Sequence, residues 1–600
     1  MELPRSRRSA HSPLGRKSDS AHTHTPVADE KGSRLPVLLS SVLLLALGGT
    51  LLYTTSFSLN CGDQLEQSLS PSFESDSSAP TIRKVLDGGV LPTSHVLDEL
   101  KLSDADNTLG GLLADLSEFD SNSCASRAQH LQRKTKFKPS QELVQRLRRY
   151  EAQHRKCASR AKDFGQPKSG SRVHDSEAPE EECRYVVWIA YSGLGNRLMT
   201  LVSAFLYALL TNRILLVDRS SDMSKLFCEP IPRTSWLVPS EITVEFVQGL
   251  NESSPQRFRH GSSTAGDNSS TAEFSYVHLT HTSDSGDEMF FCDSGQQQLD
   301  TKPWLFIKSN SYTVPGLFFI TQFRADLSVL FPDKEAVFHL LGRYLFHPSD
   351  AVWGWITRFH KSYLAHHDQQ VGIQIRTFDD SPLPYFLEQI QECVEQHELL
   401  PKVVKNVDSI RRSEELQLQN LQASEKDITV LVTSLHPYYY ENLRDVYLSG
   451  PTEGGESVSV HQPSHEGWQK TNTFGHDLKA WADIYLLSLS DVLLTSGWST
   501  FGYSAQALAG VSPWILPRST DGQVPNPVCV KARSMEPCFH RPPLLKCKIP
   551  EGANPATILP YVQPCEDVKW GIKLITTPPT QRFFQVDDRH GLHASVRVTI

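Results

Sequence analysis

The chain has 600 residues, 39% hydrophobic and 21% charged, with a formal net charge of −9. That length allows two sizeable lobes plus non-globular flanks, and the composition is that of a globular protein with a large core. No basic excess exists, so nucleic acid is excluded as a partner on electrostatic grounds.

The run Leu35 to Tyr53 carries no charged residue. It is long enough for one crossing of a thin bilayer. Arg5, Arg7, Arg8, Arg16, Lys17, Lys31 and Arg34 precede it, and no Lys or Arg follows until Arg83. The positive-inside rule then predicts a cytoplasmic tail (1–34), a transmembrane signal anchor (35–54) and a chain delivered to the lumen. A cleaved signal peptide is the competing reading, but the polar lead is too long for one. Residues 55–105, rich in Ser, Asp and Gly, read as a lumenal stem.

The eleven cysteines fit a lumenal address. Cys61 lies near the span, and the other ten run from Cys124 to Cys565. Cys529, Cys538, Cys547 and Cys565 fall close together without any C-x2-C spacing, which favours disulfides over zinc and leaves their connectivity open. Asn251-Glu252-Ser253 and Asn268-Ser269-Ser270 are glycosylation acceptors.

Leu143, Leu147 and Tyr150 predict an amphipathic helix, and a charged, Gly- and Ser-rich linker follows from Ala161 to Glu182. The stretch Cys183 to Gly193 reads as a buried strand ending in a glycine turn. A helix follows from Asn196, then a strand from Ile214 to Val217, closed by Asp218. This β-turn-α-β pattern indicates a parallel sheet. Residues 250–272 read as a surface insertion. A lobe boundary is expected near Gly342 to Pro348, which gives lobes of 106–345 and 346–600. Beyond it come strands at Val371–Ile375, Ile428–Thr433, Val492–Leu494 and Trp514–Leu516. Helices are expected over most of 387–424 and at Tyr438–Leu448, Leu478–Leu489 and Phe501–Leu508. Two α/β halves facing a cleft is the simplest architecture.

Three motifs could carry chemistry. In Ser192-Gly193-Leu194-Gly195-Asn196-Arg197 the glycines allow a sharp strand-to-helix turn whose free N–H groups favour an anion. A plain tight turn is the alternative, and Leu198 occupies the third glycine position of a dinucleotide fingerprint. In Val371-Gly372-Ile373-Gln374-Ile375-Arg376 a guanidinium stands at the carboxyl end of a buried strand, where an α/β sheet opens on its ligand. Pairing of Arg376 with Asp379 or Asp380 is the alternative. In Thr495-Ser496-Gly497-Trp498-Ser499-Thr500-Phe501-Gly502 the small polar residues suit a diphosphate or a helix N-cap. A nucleophile elbow is excluded because Phe501 takes its second glycine position.

Together these motifs resemble the plant xyloglucan-type galactoside 2-α-L-fucosyltransferases. The resemblance spans roughly residues 105–575. It includes SGLGNRLMTLVSAFLYALLTNRILLVD, LFCEPIPRTSWLVPS, VFHLLGRYLFHPSDAVWG, VGIQIRTF, IYLLSLSDVLLTSGWSTFGYSAQALAGVSPWIL, SMEPCFH and CEDVKWGIKL, in one order. It implies a Golgi-membrane, single-pass type II protein with a variant two-lobed GT-B fold. It also implies inverting transfer of L-fucose from GDP-fucose to O-2 of a galactosyl residue, with no metal and no other cofactor. The acceptor would be a galactosylated polysaccharide or glycoprotein such as xyloglucan or arabinogalactan protein. A homodimer or a Golgi enzyme complex is compatible with such an address.

Residue by residue, Arg376 matches the family's donor-site arginine. Gly193, Gly195, Asn196 and Arg197 match its glycine loop. Ser499, Thr500 and Phe501 match the loop expected to hold the phosphates, and His476 resembles a histidine near the donor. Without a metal, Arg376, Arg197 and backbone donors must stabilise the leaving diphosphate. The single Asp-x-Asp, Asp104 with Asp106, falls at the stem edge. The family pattern also places an acid, in an S-D-N triplet, before an aromatic-rich strand. Here Asn310 stands between Ser309 and Ser311 and cannot take up a proton as a carboxylate would. Asp379 is the substitute nearest in sequence to Arg376. The loss of that acid also admits a catalytically impaired glycan- or GDP-binding paralogue acting as a scaffold. A nicotinamide oxidoreductase, suggested by the G-x-G turn and Asp218, conflicts with Leu198 and with a lumenal address.

Overall fold

The computed structural model describes residues 108–119, 124–129, 131–165, 182–259, 273–280, 285–404, 426–545, 547–548 and 554–575, all within the unit Pro92–Ile600. The expected anchor and stem, Cys61, Asp104, Asp106 and Asn268 lie outside them. Among the described residues no helix is long and apolar enough to cross a membrane.

The apolar runs form strands buried on both faces, as parallel strands covered by helices must be. Tyr185–Ile189 (β1), Ile214–Val217 (β2), Phe274–Leu279 (β3) and Trp304–Ser309 (β4) make a parallel sheet in the order β2-β1-β4-β3. The helix Gln141–Ala158 (α1) is capped by the Ser140 hydroxyl and buries Leu143, Leu147 and Tyr150. The Tyr150 hydroxyl accepts from the Leu215 N–H, fixing that helix to β2. The helix Leu194–Leu210 (α2) crosses from β1 to β2 and is buried along nearly its whole length, because it is covered on both sides.

The second sheet holds Gln369–Gln374 (β5), Asp427–Thr433 (β6), Ser457–His461 (β7), Val492–Ser496 (β8), Trp514–Leu516 (β9) and Val530–Lys531 (β10). Its order is β10-β9-β8-β5-β6-β7, parallel except for β10. In both sheets the order reverses beside the first strand, between β1 and β4 and between β5 and β8. Such switch points leave a crevice at the carboxyl ends of the strands.

Val337–Leu345 (α3) and Asp350–Tyr363 (α4) lead from the first sheet to the second. Pro384–Gln396 (α5), Pro437–Leu448 (α6), Phe474–Leu487 (α7) and Thr500–Ala509 (α8) are crossovers of the second sheet. α3 packs on both α2 and α8, and α4 runs along α7, so these helices form the layer between the sheets.

Two local expectations change, and the open disulfide pairing is filled in. The aromatic-rich segment after Ser311 is the short helix Val314–Leu317 followed by a turn, since Pro315 and Gly316 suit a helical start and not a ladder. Of 387–424, helix is seen in α5 and not at 397–404, while 405–425 lies outside the described residues. The ten cysteines from Cys124 onward form five disulfides: 124–228, 157–183, 292–547, 393–529 and 538–565. Only one joins two of the four cysteines clustered near the carboxyl end. Cys547 instead ties the tail to Cys292, on the first sheet's side. Tyr312 after β4 donates to Glu536 at 2.7 Å, a second link of the same kind. The carboxyl-terminal region is therefore not confined to the second sheet.

The two sheets are registered where α2 and α8 begin. A Cβ on Gly195 would stand 2.7 Å from the Thr500 carbonyl carbon and 2.8 Å from the Phe501 nitrogen. Backbone therefore meets backbone, and only glycine fits. Behind this contact Arg197 of α2 pairs with Asp477 of α7 at 3.0 Å, the guanidinium fully buried and the carboxylate nearly so.

Two stability tests follow. Gly195→Ala should destabilise by about 1–3 kcal/mol, because backbone cannot yield as a flexible side chain would. Urea denaturation of the variant should show the lowered midpoint. Asp477→Ala should cost about 3–5 kcal/mol by leaving a buried guanidinium uncompensated, and Arg197→Met with Asp477→Leu should recover much of that loss. A double variant no more stable than Asp477→Ala alone would contradict the pairing.

Candidate functional site

Both switch points open on one cleft of about 430 Å³. One wall is the turn Ser192–Asn196 after β1. The floor is Arg376 after β5 with Ser499–Phe501 at the start of α8. At one end lie Ser464 and Asp483, and at the other Trp498 and Trp570. Ser192 (φ 69°) and Trp498 (φ 64°) both adopt the left-handed conformation that non-glycine residues avoid. Each sits where a strand end turns sharply into a helix at the cleft edge, a place where such strain concentrates.

Gly193, Gly195, Asn196, Arg376, His476, Ser499, Thr500 and Phe501 all line this cleft. Their roles divide by geometry. The Asn196 amide donates to the Asn310 carbonyl at 2.8 Å and accepts from the Thr500 hydroxyl at 2.9 Å, so it bridges β4's end to α8. Ser499 is the N-cap of α8, its hydroxyl accepting from the Gly502 N–H. The hydroxyls of Ser499 and Thr500 are thus engaged within the protein. What α8 offers an anion is its first-turn backbone N–H groups, which have no acceptor inside the helix. The start of α2 meets it at Gly195, so the positive ends of two helix dipoles converge on the cleft.

Arg197 does not line the cleft. Its guanidinium binds Asp477 and the Ser192 carbonyl at 3.0 Å each, and it braces the glycine turn from behind. Burial raises the Asp477 carboxyl above its ordinary range, with Arg197 pulling the other way. Arg376 does line the cleft. Its backbone N–H bonds the Ser496 hydroxyl at 2.8 Å, and its guanidinium donates to neutral Gln469 at 2.9 Å and lies over Phe378. It makes no ion pair among the described residues, so pairing with Asp379 or Asp380 is not seen. Burial lowers its pKa.

Asp379 and Asp380 are exposed and neither lines the cleft. Asn310 lies just behind Asn196, its carbonyl held as described and its side-chain oxygen near the Ser311 hydroxyl. His476 contacts Glu466 at 3.2 Å. Lys479 and His476 together hold the Glu466 carboxyl down to about 2. Asn251 is exposed and its amide is folded into a local turn with Gly249 and Ser253. Among the described residues one group has the composition of a metal site, Cys538, Cys565 and Asp567, but both sulfurs are joined in a disulfide.

Asp483 escaped the sequence reading. It is almost wholly buried in α7 between Trp481 and Ile484, and it lines the cleft. One carboxylate oxygen accepts from the Ser464 hydroxyl, and the other has no hydrogen-bond partner. Burial pushes its pKa up to about 7, with Ser464 opposing. A polar residue amid an apolar helical run was the available signal.

The family model of xyloglucan fucosyltransferases matches residues 82–548. A galactoside 2-α-L-fucosyltransferase of Pisum sativum is 45% identical over 480 residues, covering 78% of this chain and 82% of its own. One of Arabidopsis thaliana is 45% identical over 501 residues, covering 82% and 86%. A solved structure of a mutant of Arabidopsis thaliana FUT1 in complex with GDP is similar at TM-score 0.69 and 43% identity, covering 78% of this chain and all of that one. The residues of the glycine turn, the β5 arginine and the α8 start therefore stand in a chain that belongs to the xyloglucan fucosyltransferase family.

Proposed function

We propose that the chain is a galactoside 2-α-L-fucosyltransferase that moves L-fucose from GDP-fucose to O-2 of a galactosyl residue, with inversion and without a metal. The observation that carries this reading is the meeting of Arg376, which has no carboxylate partner among the described residues, with the α8 N-terminus at the β5/β8 switch point. That arrangement suits a diphosphate. In the reaction the bond from fucose C1 to the diphosphate breaks, a bond from C1 to the galactosyl O-2 forms, and the O-2 proton passes to the departing diphosphate or to water. Charge develops on the diphosphate, where Arg376 and the α8 N–H groups are already oriented.

Asp483 supports guanine as the base. Guanine presents N1–H and the 2-amino group on one edge, and a carboxylate accepts both. The unpartnered Asp483 oxygen and its neighbour bonded to Ser464 provide that acceptor at the end of the cleft. Asn310 cannot serve as a base, and exposed Asp379 stands apart from the cleft, so we infer a loose, oxocarbenium-like path that needs little help in deprotonating the acceptor. The uncharged run 35–54 and its flanking charges support a single-pass type II anchor in the Golgi membrane. Lobes of 106–345 and 346–600 would then lie on the lumenal side, acting on xyloglucan or an arabinogalactan-protein glycan.

Full-length protein incubated with labelled GDP-fucose and galactosylated acceptors should yield a 2-linked fucosyl product. No turnover and no GDP binding would sink the reading. Arg376→Ala should lower kcat about 10²–10³-fold with an unchanged melting temperature. GDP should bind about 10–100-fold more tightly than IDP, which lacks the 2-amino group, and Asp483→Asn should erase most of that preference. The pKa of Asp483 is raised to about 7, and the acceptor must be ionised. GDP affinity should therefore fall as the pH drops below about 7, and Asp483→Asn should flatten the profile. Calorimetric titration across pH checks both.

A further inference from the structure

Strand order gives the cleft a direction. Ser464 follows β7 and Ser434 follows β6, at the end where Asp483 lies. Arg376 and the α8 start occupy the middle, at β5 and β8. Trp498 and Trp570 lie at the β8/β9 end. Strands are spaced about 4.8 Å apart, so β7 to β8 spans roughly 14 Å. That is the reach of a nucleoside diphosphate. With guanine at Asp483 and phosphates at Arg376, the sugar and the incoming glycan fall at the tryptophan end.

That end is walled by the chain's carboxyl-terminal return. The disulfide Cys538–Cys565 joins the strip bearing His540 and Arg541 to the one bearing Val568 and Trp570. Gly571 crosses directly over it, where a Cβ would stand 2.6 Å from the Cys538 sulfur. Trp570 is turned outward and is 58% exposed. It meets Trp498 edge to face at 5.8 Å. Trp498 is itself fixed, its backbone N–H and indole N–H both donating to Asp567 at 2.9 Å. Trp570 thus rests against a fixed neighbour and leaves much of its own indole open to solvent. Exposed Arg541 borders both the cleft and a smaller depression beside Ser311 and Thr313, toward Asn310.

We propose that this disulfide-clamped wall is the acceptor subsite, with Trp570 stacking on the apolar face of the galactosyl ring and Arg541 bonding hydroxyls of the glycan beyond it. The inference rests on the donor orientation argued above. An indole suits a sugar because one face of a galactosyl ring presents C–H groups, and stacking contributes area burial at low entropic cost.

The test titrates full-length protein with a galactose-terminated oligosaccharide and, separately, with GDP. Trp570→Ala should weaken the oligosaccharide and raise the acceptor KM at least tenfold. GDP affinity should stay within twofold, and Trp570→Phe should recover most of the loss. An unchanged acceptor KM in Trp570→Ala would overturn the subsite. So would a tenfold loss of GDP affinity, because the indole would then serve the nucleotide. Wild-type protein that fails to bind GDP would instead strike at the fucosyltransferase reading.

Discussion

Everything at the cleft depends on the contact between the first turns of α2 and α8. The Gly195 backbone lies against the Thr500–Phe501 backbone and the Thr500 hydroxyl, with no room for a Cβ. Because α2 follows β1 and α8 follows β8, this one approach registers the two sheets and points their switch points at a common space. It also brings two sets of unpaired helix N–H groups together, which gives the space its preference for anions before any side chain is considered. Asn196 extends the contact to β4 through the Asn310 carbonyl. Arg197–Asp477 lies behind it. A fully desolvated ion pair gains little net stability over apolar packing. Its value here is positional, since it fixes α7 against the glycine turn at a place where the charge cannot reach a ligand.

This explains what was legible in the chain and what was not. Burial on both faces makes an apolar run, so β1, β2, β5, β6, β8 and β9 were readable, and α2, α6, α7 and α8 followed from helical spacing. The glycine turn, Arg376 and the α8 start were readable as an anion site because strand-end position is encoded locally. Roles that depend on distant partners were not. Arg197 looks like a free cation until Asp477, 280 positions on, is placed beside it. Ser499 and Thr500 look like ligand hydroxyls until the cap and Asn196 claim them. Disulfide pairing follows the path of the whole chain, which is why neighbouring cysteines 529 and 547 bond to Cys393 and Cys292.

Three carboxylates line a cleft that is built for an anion, and each is neutralised differently. Glu466 is ionised but held by Lys479, Lys470 and His476. Asp477 is ionised against Arg197. Asp483 accepts from the Ser464 hydroxyl and feels Lys479 only at a distance, so burial, the largest effect, brings its titration to about 7. The uncompensated field that remains comes from Arg376 and the helix starts. A net charge of −9 over the chain is therefore no obstacle to binding a diphosphate, because recognition is set by the few groups within a Debye length of the site.

The same arrangement bears on the chemistry. All three acids are engaged, Asp477 by Arg197, Glu466 by Lys470, His476 and Lys479, and Asp483 by Ser464. Position 310 carries an amide, and Asp379 is exposed and does not line the cleft. Among the described residues that line the cleft, no carboxylate is thus left free to act as a base on the proposed reading. On the proposed reading, the preorganised groups are those that would face the departing diphosphate. A site furnished in this way lowers the barrier most when bond breaking at fucose C1 runs ahead of attack, since that is where its fixed dipoles and Arg376 meet growing charge. The acceptor hydroxyl then encounters a carbon already cationic in character and sheds its proton late. The wall bearing Trp570 would need only to hold the galactosyl ring in line, a task for shape and stacking and not for charge.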